Sequence, residues 1–307
     1  MKISIVGAGA MGSLFGGLLA ESGNEVTLID VNDAHIDAVR TQGLRLATDG
    51  GDRQVTALKA VRPEDATGFP DLLLVFTKTL HTGAALSGVR HLIGPGVHVL
   101  SLQNGLGNVE KIAEFVPLER VLIGVTTWPA DMVGPGHVHS HGQGVVRLMA
   151  ADGVERRFVS QVAEVLTKAG LDCTSDGTVW AAIWEKVAFN AALNSICAVS
   201  GCRVDELGRL PDGSRLANEV VTEVLSVALR LGIDVDAAKC RANVANAIDH
   251  HRGHKPSMLQ DVLAGRRTEV ESINGAVVEL AGPLNIKLPV TETLLSLVRL
   301  AEARSVA

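Results

Sequence analysis

The chain has 307 residues, 47% hydrophobic and 20% charged, enough apolar material for two cores and too much for a disordered polymer. Its formal net charge of −6 speaks against nucleic acid or an acidic membrane surface as a general partner, so an anionic ligand needs a locally positive site. The four cysteines (Cys173, Cys197, Cys202, Cys240) lack C-x-x-C spacing and read as reduced core residues, as in a cytoplasmic protein.

In chain order, Lys2–Val6 is a short β-branched run, followed by Gly7-Ala8-Gly9-Ala10-Met11-Gly12 and a helical apolar pattern over Leu14–Ala20. This is strand, glycine turn, helix. The first glycine permits the tight turn, the second lets backbone N–H groups approach a pyrophosphate, and the third allows close helix–strand packing. The next strand, Glu25–Asp30, ends in a carboxylate where a dinucleotide ribose is expected to bind. The glycine spacing and this acidic strand end rule out a signal-peptide reading of Met1–Ala20. No other segment is long and apolar enough to span a bilayer.

Buried strands are predicted over Asp71–Phe76, Val97–Leu102 and Val121–Val125, with helices near Asp33–Thr41, Thr82–Leu92 and Asn108–Phe115. Strands separated by helices imply an α/β architecture, a doubly wound parallel sheet. After Gly134-Pro135-Gly136, His137–Met149 alternates and reads as antiparallel, followed by a helix near Glu155–Ala169 and a strand over Asp172–Thr174. Beyond Asp176-Gly177 strand signals vanish. Helical patterns cover Trp180–Val199, Arg215–Leu231, Ala237–His251, Met258–Leu263, Glu269–Ala281 and Thr291–Arg304, with Gly201, Gly232, Gly265 and Gly282-Pro283 as stops. The expected domains are 1–174, binding a dinucleotide, and 175–307, all-α.

Within the apolar segment Ile183–Val199, Lys186, Asn190 and Asn194 recur every four residues, which on a helix forms one polar stripe. Burying an ammonium and two amides costs several kcal/mol unless something pairs with them. The stripe is therefore either a structural polar network or a site. Asn104, after the strand Val97–Leu102, lies where ligands of open α/β sheets bind. Ser257 and Glu269 each open a helix. Both also fit capping boxes, Ser257 with Gln260 and Thr268 with Glu271, so the residues alone leave a cap or a site open.

These motifs together resemble the ketopantoate reductase family (2-dehydropantoate 2-reductases) over nearly the whole chain. The resemblance rests on Gly7–Gly12, Thr77-Lys78, Gln103-Asn104-Gly105-Leu106-Gly107, Gly134-Pro135-Gly136 with Gly142-Gln143-Gly144, Trp184 through Asn190, and Ser257 through Asp261 followed by Thr268-Glu269. It implies an N-terminal Rossmann-type doubly wound parallel sheet followed by an all-α C-terminal domain, with substrate and nicotinamide in the cleft between them. It further implies reduction of a 2-oxo acid by NAD(P)H, with Lys186 as the general acid. Asn190, Asn194 and Ser257 would hold the substrate, Asn104 would lie where substrate meets nicotinamide, and Glu269 would contact the cofactor or the reacting oxygen. Gly7, Ala8, Gly9, Ala10, Met11, Gly12, Lys78 and the Ala130 backbone would contact the dinucleotide.

One departure from the family concerns Asp30, followed by Val31 and Asn32, where NADPH-dependent members commonly carry a basic residue. A carboxylate there favours a ribose hydroxyl over a 2′-phosphate and so favours NADH, with NADPH as the alternative if Lys78 or Arg53 compensates. It also admits a D-2-hydroxyacid dehydrogenase of the mandelate type, which uses NAD. A third reading is a dinucleotide-binding sensor or scaffold without catalysis, against which Lys186 and Glu269 speak. A homodimer is a possible assembly. His137, His139 and His141 should share one face of a strand, and His250 with His254 has helical ligand spacing. Neither cluster has cysteine or carboxylate partners at metal-site spacing, so no metal is expected.

Overall fold

The computed structural model describes residues 1–305 and divides into two compact units. The first comprises Met1–Gln103 and Asn108–Val179. The second comprises Asn104–Gly107 and the chain from Trp180 onward.

In the first unit, β1 (Lys2–Val6), α1 (Ala10–Glu21), β2 (Glu25–Ile29) and α2 (Asp33–Gln42) follow the predicted pattern. Three strands come next that the sequence reading missed: β3 (Leu44–Thr48), β4 (Gly51–Val55) and β5 (Leu58–Val61). Then come β6 (Leu72–Val75), α3 (Thr82–Gly88), β7 (His98–Ser101), α4 (Asn108–Ala113) and β8 (Val121–Thr126). The unit closes with β9 (Asp131–Gly134), β10 (His137–Ser140), β11 (Val146–Ala150), α5 (Arg157–Lys168) and β12 (Cys173–Ser175).

Eight strands form one sheet in the order β12-β11-β8-β7-β6-β1-β2-β5. Its centre is parallel, and the Leu72-Leu73-Leu74-Val75 run of β6 is wholly buried, as expected where both faces are covered. The stretch predicted as one alternating segment, His137–Met149, is two strands in two sheets. β11 runs antiparallel to β8, while β10 belongs to a four-stranded sheet, β4-β3-β10-β9, parallel to β3 and antiparallel to β9. Helix α1 packs on both sheets. A Cβ on Gly16 would lie 2.5 Å from Leu28, and one on Gly17 would lie 2.6 Å from Leu46. Small residues at this interface let helix and strands approach closely.

The second unit is helical: α6 (Val179–Ser200, whose first residue closes the first unit), α7 (Val204–Leu207), α8 (Pro211–Arg230), α9 (Ala237–His250) and α10 (Ser257–Leu263). A π-helical turn (Glu271–Gly275), α11 (Ala276–Ala281) and α12 (Pro289–Ser305) complete it. Helix α8 begins four residues before the predicted Arg215, with Pro211 in its first turn, where a missing N–H costs nothing. The apolar residues of α6 join one core with Val220, Val221, Val224, Ile273 and Val298. A helix apolar almost all round is a buried helix, and its polar stripe is an exception that needs a reason. Among the described residues no helix is long and apolar enough to cross a membrane.

Candidate active site

The glycine turn of the first unit has the geometry a dinucleotide needs. Gly7 has φ +94°, and a Cβ on it would lie 2.7 Å from the Thr77 nitrogen. A Cβ on Gly12 would lie 2.0 Å from the Gly7 carbonyl oxygen, so the first turn of α1 closes on the strand only with glycine there. Gly9, in contrast, has open space where its Cβ would be, which leaves room for a ligand against the backbone between Ala8 and Met11. One Asp30 oxygen accepts the Ala8 N–H at 2.6 Å, and the other accepts the Val31 and Asn32 N–H groups at 2.8 and 2.9 Å. A carboxylate has about four acceptor positions, so the oxygen facing the turn keeps room for a ribose hydroxyl.

The remaining predicted dinucleotide contacts lie at strand ends. Lys78 follows β6 and caps a short 3₁₀ turn, Thr79–His81. Ala130 precedes β9, in a loop held by the Ser140 hydroxyl donating to the Pro129 carbonyl at 2.7 Å. Gly144 explains part of the Gly142–Gly144 motif, because a Cβ there would lie 2.4 Å from the Trp128 nitrogen. Arg53, the second candidate phosphate partner, has a partner of its own. It sits on β4, where its guanidinium holds both Glu21 oxygens at 2.6 and 2.7 Å.

In the second unit, α6 carries Lys186, Asn190 and Asn194 on one stripe. Asn190 is 9% exposed and Asn194 6%, yet neither side chain has a hydrogen-bond partner among the described residues. A structural polar network would have paired them. Lys186 keeps part of its surface, but protein packed around its ammonium disfavours the charged form and lowers its pKa to about 8, while the Glu269 carboxylate pulls the other way. Asn104 donates its amide to a Glu269 oxygen at 3.3 Å. The unit thus brings Asn104, Lys186 and Glu269 together.

The capping boxes do not form as the sequence suggested. Ser257 is the first residue of α10 after Pro256, is exposed, and makes no cap bond; Gln260 instead donates to the Lys255 carbonyl at 2.9 Å. The Thr268 hydroxyl accepts the Val270 N–H at 3.1 Å, but Glu271 pairs with Arg299 at 2.6 Å. The Glu269–Ala281 helix is corrected as well, since its first part is the π-helical turn, a form frequent at functional sites.

That turn supplies residues the sequence reading missed. The Ser272 carbonyl accepts the Leu106 N–H at 2.8 Å, and Gly105, at φ +82°, leaves only 2.4 Å between a would-be Cβ and the same oxygen. Asn104 is thereby seated beside Glu269. Asn274, wholly buried, donates to the Ala191 carbonyl of α6 at 3.3 Å and so ties the turn to the helix that carries Lys186. An asparagine inside the apolar pattern Val270–Val278 was the available signal.

The histidine clusters do not each gather on one face. His137 and His139 share a face of β10, whereas His141 lies past its end with Nδ1 2.6 Å from Asp49. His250 faces the Asn246 carbonyl, and His251 meets His254 edge to face. Among the described residues no group of three or more His, Cys, Asp or Glu side chains is arranged to hold a metal ion.

Comparison with known proteins agrees with this geometry. The family described as "Ketopantoate reductase PanE/ApbA" matches residues 3–153, and its C-terminal counterpart matches residues 178–302. A 2-dehydropantoate 2-reductase of Streptococcus pyogenes is 34% identical over 99% of this chain and 98% of its own length. One from Halobacterium salinarum is 36% identical over 98% and 99%. Among solved structures, D-mandelate dehydrogenase with NADH and anilino(oxo)acetate superposes with a TM-score of 0.95 at 32% identity, covering all of both chains. With both halves matched and full-length relatives above 30% identity, this chain belongs to the ketopantoate reductase family.

Proposed function

We propose that the protein reduces the carbonyl of a 2-oxo acid, 2-dehydropantoate, to the alcohol, with Lys186 delivering the proton to the oxygen. The observation that carries this reading is Lys186 at a pKa of about 8 on the same stripe as two nearly buried amides that have no hydrogen-bond partner among the described residues. Lysine suits the role because burial can bring its pKa into the working range, which it does not do for arginine. The bound nicotinamide dinucleotide supplies the hydride. As the carbonyl oxygen gains negative charge, the Lys186 ammonium stabilises it and then protonates it, and the neutral amine is recharged from solvent. Glu269 keeps enough of Lys186 protonated for this and holds Asn104. Asn190, Asn194 and Ser257 offer neutral donors for the substrate carboxylate and hydroxyl without competing for the proton.

Residues 1–174 bind the dinucleotide in this reading, through Gly7–Gly12, Asp30, Lys78 and the Ala130 backbone, and residues 175–307 bind the substrate. The cofactor is NADH. Support comes from the Asp30 carboxylate bonded to the Ala8 N–H, which would repel a 2′-phosphate, and from the mandelate dehydrogenase relative solved with NADH. The same observations favour a second reading, a D-2-hydroxyacid dehydrogenase.

A panel of 2-oxo acids scored by oxidation of NADH and NADPH separates the alternatives. A site built around a substrate hydroxyl penalises analogues lacking it, so 2-dehydropantoate should exceed 2-oxoisovalerate by about tenfold or more in kcat/KM. Asn194→Ala should narrow that gap. Preferential turnover of benzoylformate would move the assignment to a mandelate-type dehydrogenase. No turnover of any acid with either dinucleotide would leave a sensor or scaffold.

A further inference from the structure

The glycine turn is held from two sides, and the second hold reaches a motif that the reaction does not use. The Ser13 hydroxyl, completely buried in the first turn of α1, donates to the Ala8 carbonyl at 2.8 Å. Behind it lies His35, 3% exposed, with Nε2 3.2 Å from the Ser13 oxygen. The other ring nitrogen, Nδ1, accepts the Gly136 N–H at 3.1 Å. An accepting Nδ1 carries no proton, so the imidazole is neutral and Nε2–H is the donor to Ser13.

Gly136 closes the turn between β9 and β10 at φ +69°, and a Cβ on it would lie 2.9 Å from Ala38. Its carbonyl accepts the β3 amide of Arg45 at 2.8 Å. The chain of bonds runs from the four-stranded sheet through His35 and Ser13 to the backbone of the nucleotide turn.

Peptide planarity shows what this accomplishes. Asp30 fixes the Ala8 N–H and with it the plane of the Gly7–Ala8 peptide. Ser13 fixes the Ala8 carbonyl and therefore the Ala8–Gly9 peptide, whose N–H points opposite to that carbonyl. Gly9 is the residue with open space around it.

We propose that His35 and Ser13 are positioning residues for the dinucleotide: a neutral His35, held by Gly136, seats the Ser13 hydroxyl on Ala8 and so aims the Gly9 N–H at the pyrophosphate. The inference rests on reading Gly7–Gly12 as the dinucleotide turn. The second sheet, and the Gly134-Pro135-Gly136 motif in it, then serves cofactor binding without touching the cofactor.

Protonation would break the relay, because a cationic ring presents a second N–H to the Gly136 N–H. Burial holds the His35 pKa below its ordinary value. The charged group that faces it is Asp30 at the end of β2, which acts the other way; α1 contributes Ser13 and the β9–β10 turn contributes backbone. The ring is therefore neutral at neutral pH, and the turn loosens as acid is added.

The test is fluorescence titration of the full chain with NADH between about pH 5.5 and 8, the range in which histidine titrates. NADH is chosen because it lacks the 2′-phosphate, which would titrate over the same range. Wild type should bind progressively more weakly as the pH falls below the ordinary histidine range, because burial lowers the His35 pKa. Ser13→Ala and His35→Leu should raise Kd by about five- to tenfold at neutral pH, the worth of one hydrogen bond, with kcat at saturating NADH and KM for the 2-oxo acid unchanged. His35→Gln, whose amide nitrogen replaces Nε2–H and does not titrate, should keep the affinity and lose the acid dependence. A wild type that binds NADH independently of pH, with Ser13→Ala binding equally well, would overturn the inference alone. A wild type that binds neither NADH nor NADPH would overturn the dinucleotide reading and this inference with it.

Discussion

In the first unit the polar groups that shape the glycine turn are paired within the protein, whereas in the second two amides of the α6 stripe, Asn190 and Asn194, are not paired among the described residues. Ala8 has its N–H on Asp30 and its carbonyl on Ser13, and the Ser13 hydroxyl is backed by His35. Asn190 and Asn194 sit almost as deep, yet their side chains meet no partner among the described residues. The difference follows from what each unit presents. A turn that offers backbone N–H groups must be rigid, because a peptide plane free to rotate would lose its aim. A helix that offers side chains is already rigid, so it can leave their polar ends for a ligand.

Three measurements would break or sharpen this contrast. The largest effect is expected from Lys186→Ala, which should lower kcat by about a hundredfold or more while leaving NADH affinity nearly unchanged. A folded variant with wild-type turnover would remove Lys186 from the chemistry and return the stripe to a structural role.

The next effect is a displaced pH profile. A protonated Lys186 is required for reduction, so kcat should fall as pH rises through about 8. The Glu269 carboxylate raises that pKa, and Glu269→Gln should therefore move the alkaline limb to lower pH, beyond whatever it does to the maximum. An unmoved limb would mean that another group titrates in the profile.

The smallest effect belongs to Arg53→Ala. With its guanidinium committed to Glu21 on the surface, the substitution should change the NADH-to-NADPH preference by less than about twofold and stability by at most about 1 kcal/mol. A marked loss of NADPH use in this variant would show that Arg53 leaves Glu21 for the 2′-phosphate.

What could be read from the sequence divides along the same physical line. The α6 stripe, the glycine turn and the buried runs of β1 and β6 are local patterns, and each appears in the structure where it was expected. The strands β3, β4 and β5 escaped because they are short and half-polar, and β3 pairs with β10, about ninety residues later in the chain. An Asp49-Gly50 turn between alternating segments was the local hint. The π-helical turn escaped for a different reason: one extra residue in a helix leaves composition and apolar count intact and changes only the facing. The predicted caps at Ser257 and Thr268 failed because their would-be partners, Gln260 and Glu271, found the Lys255 carbonyl and the Arg299 guanidinium instead. The Gly136–His35–Ser13 relay is the extreme case, since its members are distant in sequence and only the folded chain makes them neighbours.

The segment Asn104–Gly107 gives the architecture an unexpected consequence for cutting the gene. It follows β7 in the chain, yet it is grouped with the helical unit, where Leu106 bonds to Ser272 and Asn104 to Glu269. A fragment that starts at Trp180 would thus encode a helical body lacking one of its own site residues, with the Ser272 carbonyl stripped of the Leu106 amide. The two halves are recognisable as separate families in sequence, but they are not interchangeable cassettes. A helical half transplanted onto a foreign nucleotide-binding half would bring Lys186 and Glu269 with it and depend on the new host for an Asn-Gly-Leu-Gly loop to complete the set.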